Sequence, residues 1–492
     1  MTFAAYPLLA LLAHNISQVR WTAGIRPTVV SVLGAGILFL LLRLIYRDWH
    51  KAAYATSGLT VLFFTYGQVY NQLGGNKTPH LATWMGLAWT ALAVLIVTWA
   101  VRHRFPNAAL ILNVISLGLT VYVLVQVVTE IPPAPVKANK PADPNAPVEA
   151  LHIPAGQTPP DIYYFILDSY GRNDLLKRNL QYDNTGFIYD LQKLGFYVAQ
   201  CSQSNYPRTD VSLGSSLNMG YLQDLNPAKF TPQNEDRSQL WQSILNSTVT
   251  DELKGAGYKT VAFATGFAFT EMTSADVYIS PSPVIAPLTE FEVLALETTP
   301  LRHLQDLGWV NLVNIDGQRY RERTLLALNS MDRLARMAGP KFVFIHLVIP
   351  HPPFVFATDG TPLDPSKYMD ENGIYSQVNY YAGYRLQAGF INDQMEKAVT
   401  TLISKSRTPP VIIIQGDHAP WLQTNNDEFK ILNAYYLPGH EDKLYPTISP
   451  VNSFRLVLDT YLGGDYPLLE DKSYYSPIPH VFDFAEAPSG CK

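Results

Sequence analysis

Four apolar stretches of about 20 residues, the length that crosses a hydrocarbon core as a helix, occupy most of the first 130 residues: Thr28 to Tyr46, Ala52 to Tyr70, Leu81 to Val101 and Ala108 to Val128. In hydrocarbon no water is available to backbone N–H and C=O groups, so such segments must close their own hydrogen bonds as helices. Reading them as core helices of a soluble domain would require four near-uninterrupted apolar runs in succession. A weaker segment, Met1 to Ile16, precedes them and contains Pro7, His14 and Asn15. It reads as a fifth helix or a signal peptide, and the absence of Lys or Arg at its start argues against cleavage. Either way the chain leaves the membrane on the outer side.

Loop charge agrees with that orientation. The inner loops carry five basic residues, Arg43, Arg47, Lys51, Arg102 and Arg104, and the outer loops carry three, Arg20, Arg26 and Lys77. Basic residues favour the cytoplasmic side, so the chain beyond residue 130 is expected outside the cell membrane, extracytoplasmic or periplasmic. Residues 1–130 are therefore predicted to be a transmembrane domain, and 131–160 a linker. Nine prolines fall between Pro132 and Pro160, among Ala, Lys, Asn and Asp, a composition that builds an extended spacer and no core.

From Asp161 to the C-terminus the pattern alternates. Apolar runs of strand length, Ile162–Leu167, a start at Gly195, Thr260–Thr265, Phe342–Ile349 and Val411–Ile414, are separated by segments of helical spacing such as Leu240–Leu253 and Gln377–Ser404. That alternation predicts an α/β domain with a mostly parallel central sheet and helices on both faces. Asn234 to Asp332 follows no clear pattern. The net charge of −5 gives no footprint for nucleic acid. Two cysteines, Cys201 and Cys491, lack the spacing of a zinc or redox motif. They pair if this domain meets an oxidising compartment, or remain two free thiols.

Several strand ends carry chemistry. Val411–Ile414 is expected to stop at Gln415 and Gly416, presenting Asp417 and His418 together where open α/β sheets bind ligands. A carboxylate beside an imidazole suits a divalent metal, zinc or manganese by ligand type; an ordinary turn with two polar residues is the plainer alternative. Asp168 follows the first strand, and His346 and His351 flank the end of another. In Ser204-Asn-Tyr-Pro-Arg-Thr-Asp-Val-Ser-Leu, Pro207 ends the preceding structure and Thr209 is expected to cap a helix running to about Leu222. A hydroxyl there lies near free N–H groups that suit an anion such as phosphate, and a metal on the same oxygen makes it a nucleophile. A capping threonine and nothing more is the competing reading.

An Asp after the first strand, a Thr heading a helix within TxxSL, two histidines five apart and a GDH tripeptide resemble the alkaline phosphatase superfamily. More narrowly, the chain resembles its membrane-anchored sulfatase-like branch, with lipoteichoic acid synthases and phosphoethanolamine transferases, which also place about five transmembrane helices before an extracytoplasmic domain. The resemblance implies an alkaline-phosphatase-like fold over 161–492 and one divalent metal held by Asp168, Thr209, Asp417 and His418. Asp168 stands where phosphoethanolamine transferases carry Glu, and Ala419 where the family has the Gly of GDHG. Thr209 is the implied nucleophile, forming a phospho-threonine intermediate, with Ser212 a rival outside the TxxSL match. His346 and His351 are implied to contact the transferred group or assist the leaving group. Arg208, beside Thr209, either neutralises phosphate charge or is a surface arginine. No C/S-x-P/A-x-R signature surrounds Cys201, which argues against sulfate esters, and no added DxxxH pair supplies a second metal. The implied activity is phosphoryl-type transfer of a phospho-alcohol head group from a membrane lipid to an envelope lipid or glycan. A hydrolase of the same superfamily and a non-catalytic lipid sensor are the alternatives.

Overall fold

The computed structural model describes residues 2–16, 19, 21–74, 80–102, 108–130, 151, 153, 158–281, 288–306, 312–369, 374–421, 427–488 and 491. Most of the proline-rich linker therefore lies outside the described residues. The chain divides into two compact units.

The helical unit holds α1 (Thr2–His14), α2 (Ile25–Tyr46), α3 (Trp49–Gln72), α4 (Leu81–Arg102) and α5 (Ala108–Glu130). The segments Trp21–Tyr46, Leu81–Ala100 and Ile111–Thr129 are long and apolar enough to cross a membrane. Their outward side chains, Leu33, Ile37, Leu44, Leu95 and Val114 among them, are more than half exposed, as expected of surfaces that face hydrocarbon. The fourth expected span, α3, differs. It packs against α1, α2 and α4, and nine of its residues are buried, including Thr56, Thr60, Tyr66 and Tyr70. A helix shielded by its neighbours does not need a uniformly apolar surface, which is why its composition is more polar. The described residues 288–306 and 312–316 also belong to this unit, within the stretch where the sequence follows no clear pattern.

The α/β unit is built on a seven-stranded sheet in the order β2-β7-β6-β1-β5-β3-β4. Its strands are β1 (Ile162–Leu167), β2 (Tyr197–Val198), β3 (Lys259–Phe263), β4 (Val277–Ile279), β5 (Lys341–Leu347), β6 (Val411–Gly416) and β7 (Asn433–Tyr436). Pairing is parallel except at β7, which runs against β6 and β2. Every residue of β1, β5 and β6 is buried. Strands covered on both faces read as continuous apolar runs, and that is how these three stand in the sequence. Two helices that bear on the site are α6 (Thr209–Ser216) and α7 (Gln377–Lys405).

Several boundaries depart from the sequence reading: β3 ends at Phe263 and β5 at Leu347, each two residues before the expected run does, and three further departures have a visible cause. Strand β6 continues through Gln415 and Gly416, because Gln415 pairs with Asn433 on one side and Gly416 aligns with Leu167 on the other. A Cβ at Gly416 would stand 2.3 Å from the Tyr170 carbonyl oxygen, so the close approach requires glycine here. The expected helix over Leu240–Leu253 is two, Ser238–Leu245 and Thr248–Gly255, with Ser247 capping the second through the Thr250 N–H. Thr209 begins α6 rather than capping it; the extended residue Arg208 holds the cap position, and the helix ends at Ser216, ahead of the left-handed Met219.

Cys201 and Cys491 form a disulfide that closes a sequence separation of 290 residues. By loop entropy a closure of that length stabilises by up to about 5 kcal/mol. Thiol reductant is expected to lower the thermal midpoint of the α/β unit markedly, and Cys201→Ser to reproduce that loss. A Cys201→Ser protein that melts with the oxidised wild type would show the bond to be energetically idle.

Candidate active site

The site forms at the carboxyl ends of β6, β1 and β5. Leu167 aligns with Gly416 on one side and Leu347 on the other, so Asp168 and Asp417, each one residue further on, emerge side by side. Both are buried, Asp168 at 1% exposure and Asp417 at 0%. Just after Asp168, Ser169 takes a left-handed backbone (φ 63°), and its N–H donates to Asp417 Oδ1 at 2.8 Å. The His418 N–H donates to the same oxygen at 2.9 Å. Tyr384 of α7 secures the turn: its hydroxyl donates to the Ser169 carbonyl and accepts from the Gly171 N–H.

His418 and Thr209 complete the group. His418 Nδ1 lies 2.7 Å from the Ala419 carbonyl, a contact that needs a proton on Nδ1 and leaves Nε2 bare in the neutral ring. That Nε2 is 3.6 Å from Asp168 Oδ1, 3.6 Å from Asp417 Oδ2 and 3.3 Å from Thr209 Oγ1. Asp168 Oδ1 and Asp417 Oδ2 are buried and have no hydrogen-bond partner among the described residues. Burying a charged oxygen without a partner is costly. A tetrahedral ion with arms of about 2.1 Å has ligand–ligand edges of about 3.4 Å, and the observed separations cluster around that edge. The orphaned carboxylate oxygens, the bare imidazole nitrogen and the hydroxyl thus fit one small divalent cation. Asp168, Asp417 and His418 stand out as a metal-holding group on geometry alone.

The electrostatics point the same way. Burial works against both carboxylates, but His351, His346 and His418 around Asp168 outweigh it and hold that carboxyl down at about 2. Asp417 is pushed above its ordinary value by burial and by the charge of Asp168. For His418, burial opposes the imidazolium, yet Asp417 and Asp168 raise its pKa. Two carboxylates in one dry site repel unless positive charge lies between them.

The two other histidines have different surroundings. His346 is buried, its Nε2 at 3.2 Å from Asp168 Oδ2 and its Nδ1 at 3.2 Å from Thr270 Oγ1. Both ring nitrogens are thus occupied, and the ring is placed to orient Asp168; the resemblance implied contact with the transferred group or assistance to the leaving group. His351 is half-buried. Its Nδ1 lies 2.6 Å from the Pro352 carbonyl and its backbone N–H donates to the Asp168 carbonyl, so Nε2 is the nitrogen left for chemistry. Ser212, the rival nucleophile, has 0% exposure, whereas Thr209 is partly exposed.

Arg208 is partly buried. One nitrogen donates to Ser476 Oγ at 3.0 Å, while Nε and Nη1 are buried without a partner among the described residues. Burial pulls its pKa below the ordinary value, against the charge of Asp210. A desolvated guanidinium with two unspent N–H-bearing nitrogens beside Thr209 is suited to a phosphate. Asp210 does not compete for those atoms. It accepts the Val211 N–H and pairs with Arg237 at 3.3 Å. Sequence reasoning missed Thr270 behind His346, Ser476 on Arg208, and Glu428. The Glu428 carboxyl is raised by burial and feels the charges of His418 and Arg208. None of the three sits in a motif; only the fold brings them in. Cys201, in its disulfide, is removed as a nucleophile.

No family model matches the chain, and no curated protein matches it. Among solved structures, it is similar to the C-terminal periplasmic domain of EcEptC from Escherichia coli, at 14% identity and a TM-score of 0.41, over 67% of this chain and 93% of that one. A zinc complex of that domain aligns at 13% identity and a TM-score of 0.41, over 65% and 87%. The integral membrane protein lipooligosaccharide phosphoethanolamine transferase A from Neisseria meningitidis aligns at 12% identity and a TM-score of 0.41, over 93% of this chain and 94% of that one.

A metal on His418 Nε2 competes with a proton there. Because the two carboxylates raise the His418 pKa, affinity for zinc or manganese is expected to keep climbing with pH past the ordinary imidazole value of about 6.5. Titration calorimetry between acidic and mildly alkaline pH measures this, and a flat profile would contradict the assignment.

Proposed function

We propose that the α/β unit is a metal-dependent phosphoryl-type transferase that works through a phospho-threonine intermediate on Thr209. The observation that carries this reading is the convergence of Thr209 Oγ1 with His418 Nε2 and the two orphaned carboxylate oxygens, with the unspent face of Arg208 beside it. The residues fit one divalent ion, zinc or manganese by ligand type, held by Asp168, Thr209, Asp417 and His418. When bound, such an ion lowers the pKa of the hydroxyl and offsets phosphate charge.

The chain's own residues carry the rest. Thr209 Oγ, its proton released to solvent, attacks phosphorus in a phosphodiester from the side opposite the leaving alcohol. An Oγ–P bond forms as the bond from phosphorus to the leaving oxygen breaks. Arg208 N–H groups hold the non-bridging oxygens, where charge accumulates. His351 Nε2 delivers a proton to the departing alcohol. Asp168, oriented by His346, and Asp417, held by the N–H groups of Ser169 and His418, keep the site negative enough to retain its cation. An acceptor hydroxyl then attacks the phospho-threonine: its oxygen bonds to phosphorus as the Oγ–P bond breaks, its proton passes to His351, and Thr209 Oγ leaves as an oxyanion that solvent reprotonates. In the second step water in place of that acceptor gives hydrolysis.

The donor is proposed to be a membrane phospholipid and the acceptor an envelope lipid or glycan, on the outer side of the cell membrane. Support for this comes from the apolar helices that precede the α/β unit in the same chain, and from the loop charges.

Thr209→Ala is expected to abolish turnover and the phosphorylated peptide seen by mass spectrometry after incubation with phospholipid. Thr209→Ser is expected to keep a fraction of both. Undiminished turnover by Thr209→Ala, or an adduct on another residue, would sink the assignment.

A further inference from the structure

The helical unit contains a cavity of about 820 Å³ between α2, α3 and α4, within the range of about 300–1,000 Å³ usual for ligand pockets. On α2 its wall runs from Arg26 to Leu38, on α3 from Leu59 to Tyr66, and on α4 from Gly86 to Ala93. Segment 288–303 of the same unit lines it as well. We propose that this groove binds one membrane phospholipid, with hydrocarbon seated between the helices and the head group at the end marked by Arg26, Glu292 and His303.

Arg26 to Leu38 spans twelve residue steps, or about 18 Å of helix at 1.5 Å per residue. One leaflet of a hydrocarbon core about 30 Å thick is about 15 Å deep. The three wall segments fall within the fourteen residues nearest one end of each helix: the start of α2 and α4, and the end of the oppositely directed α3. Leu12 and Ala13 at the end of α1 pack with Val123 and Val127 near the end of α5. The groove therefore belongs to the leaflet on the side where the chain leaves α5.

The interior is polar in composition at a few points and apolar in effect. Ser31 Oγ donates to the Ala4 carbonyl, Thr60 Oγ1 to Thr56, Thr90 Oγ1 to Gly86 and Trp89 Nε1 to Leu62, all at 2.7–2.8 Å. With those donors occupied by backbone carbonyls, the walls hold little that would retain water. Ionisable groups stand at one end only. There Arg26 pairs with Glu292, which balances its charge, so the rim suits a head group without net charge. An apolar slot with its polar groups at a single end matches an amphiphile better than a helix of another protein, whose polarity would not follow leaflet depth.

The rim is built in place. Thr289 and Glu292 form a capping box at the start of Glu290–Glu297. The Gly67 N–H of α3 donates to the Thr298 carbonyl at 3.0 Å, and a Cβ at Gly67 would stand 2.3 Å from the Glu297 oxygen. The Arg302 guanidinium lies 4.7 Å above the Tyr70 ring. These contacts fix 288–303 against α2 and α3.

Gly34 and Gly118 give a matched test. An added Cβ meets nothing within 4 Å at either position, but only Gly34 lines the groove. The full chain, solubilised in detergent and mixed with dioleoyl phosphatidylcholine, is examined by native mass spectrometry. Wild type and Gly118→Trp are expected to carry a tight single-lipid adduct that Gly34→Trp loses. Ala93→Trp, on the opposite wall, serves as the second variant and is expected to lose it too. An adduct unchanged in both groove variants, an equal loss in Gly118→Trp, or a wild type that binds no lipid and instead dimerises through Gly34 would overturn the proposal. The readout is binding without turnover, so it stands apart from the chemistry assigned to Thr209.

Discussion

Two carboxylates, Asp168 and Asp417, are buried next to each other at the carboxyl ends of two central, parallel strands, each with an oxygen that no donor reaches among the described residues. Like charges in a dry site repel strongly, and the surrounding residues are arranged around that problem. Two backbone N–H groups hold one oxygen of Asp417. Three histidines hold Asp168 ionised. What remains uncompensated is one oxygen on each, facing His418 Nε2 and the Thr209 hydroxyl. A single cation there would resolve the repulsion, and under the proposed function the same cation would activate the Thr209 hydroxyl beside it.

The run of β1 was legible in the sequence, because that strand is apolar throughout and buried on both faces. Ile162–Leu167 matches its apolar run residue for residue, and Gln377–Lys405 exceeds its expected span by one residue, because burial alone sets those patterns. Boundaries set by partners were not legible. Gln415 belongs to β6 only because Asn433 lies opposite, and a polar residue in a strand looks like its end. The ligand set came from motif resemblance, and parallel register explains how residues more than 200 positions apart meet. The orienting role of His346 could not be read, since Thr270, which fixes the other face of its ring, carries no signal of its own.

Residues 283–316 show the same limit at a larger scale. Thr289-Glu-Phe-Glu292 is a capping box in plain sight, yet it announces only a helix start. That Glu292 also meets Arg26, 266 positions earlier, depends on the helical unit having formed. The sequence likewise suggests four equivalent spans, but α3 is packed among the other helices of its unit, with Thr56 and Thr60 buried. Composition reports the solvent a helix is adapted to, and α3 is adapted to other helices.

The central claim is one cation bound by two carboxylates, one hydroxyl and one imidazole. X-ray absorption at the metal edge on the purified zinc-loaded chain tests it most directly. The account predicts a first shell of oxygen and nitrogen at about 2.0–2.2 Å, with the scattering of a single imidazole that disappears in His418→Ala and persists in His346→Ala and His351→Ala. A shell with two or more imidazoles, or one that keeps its imidazole when His418 is replaced, would contradict it.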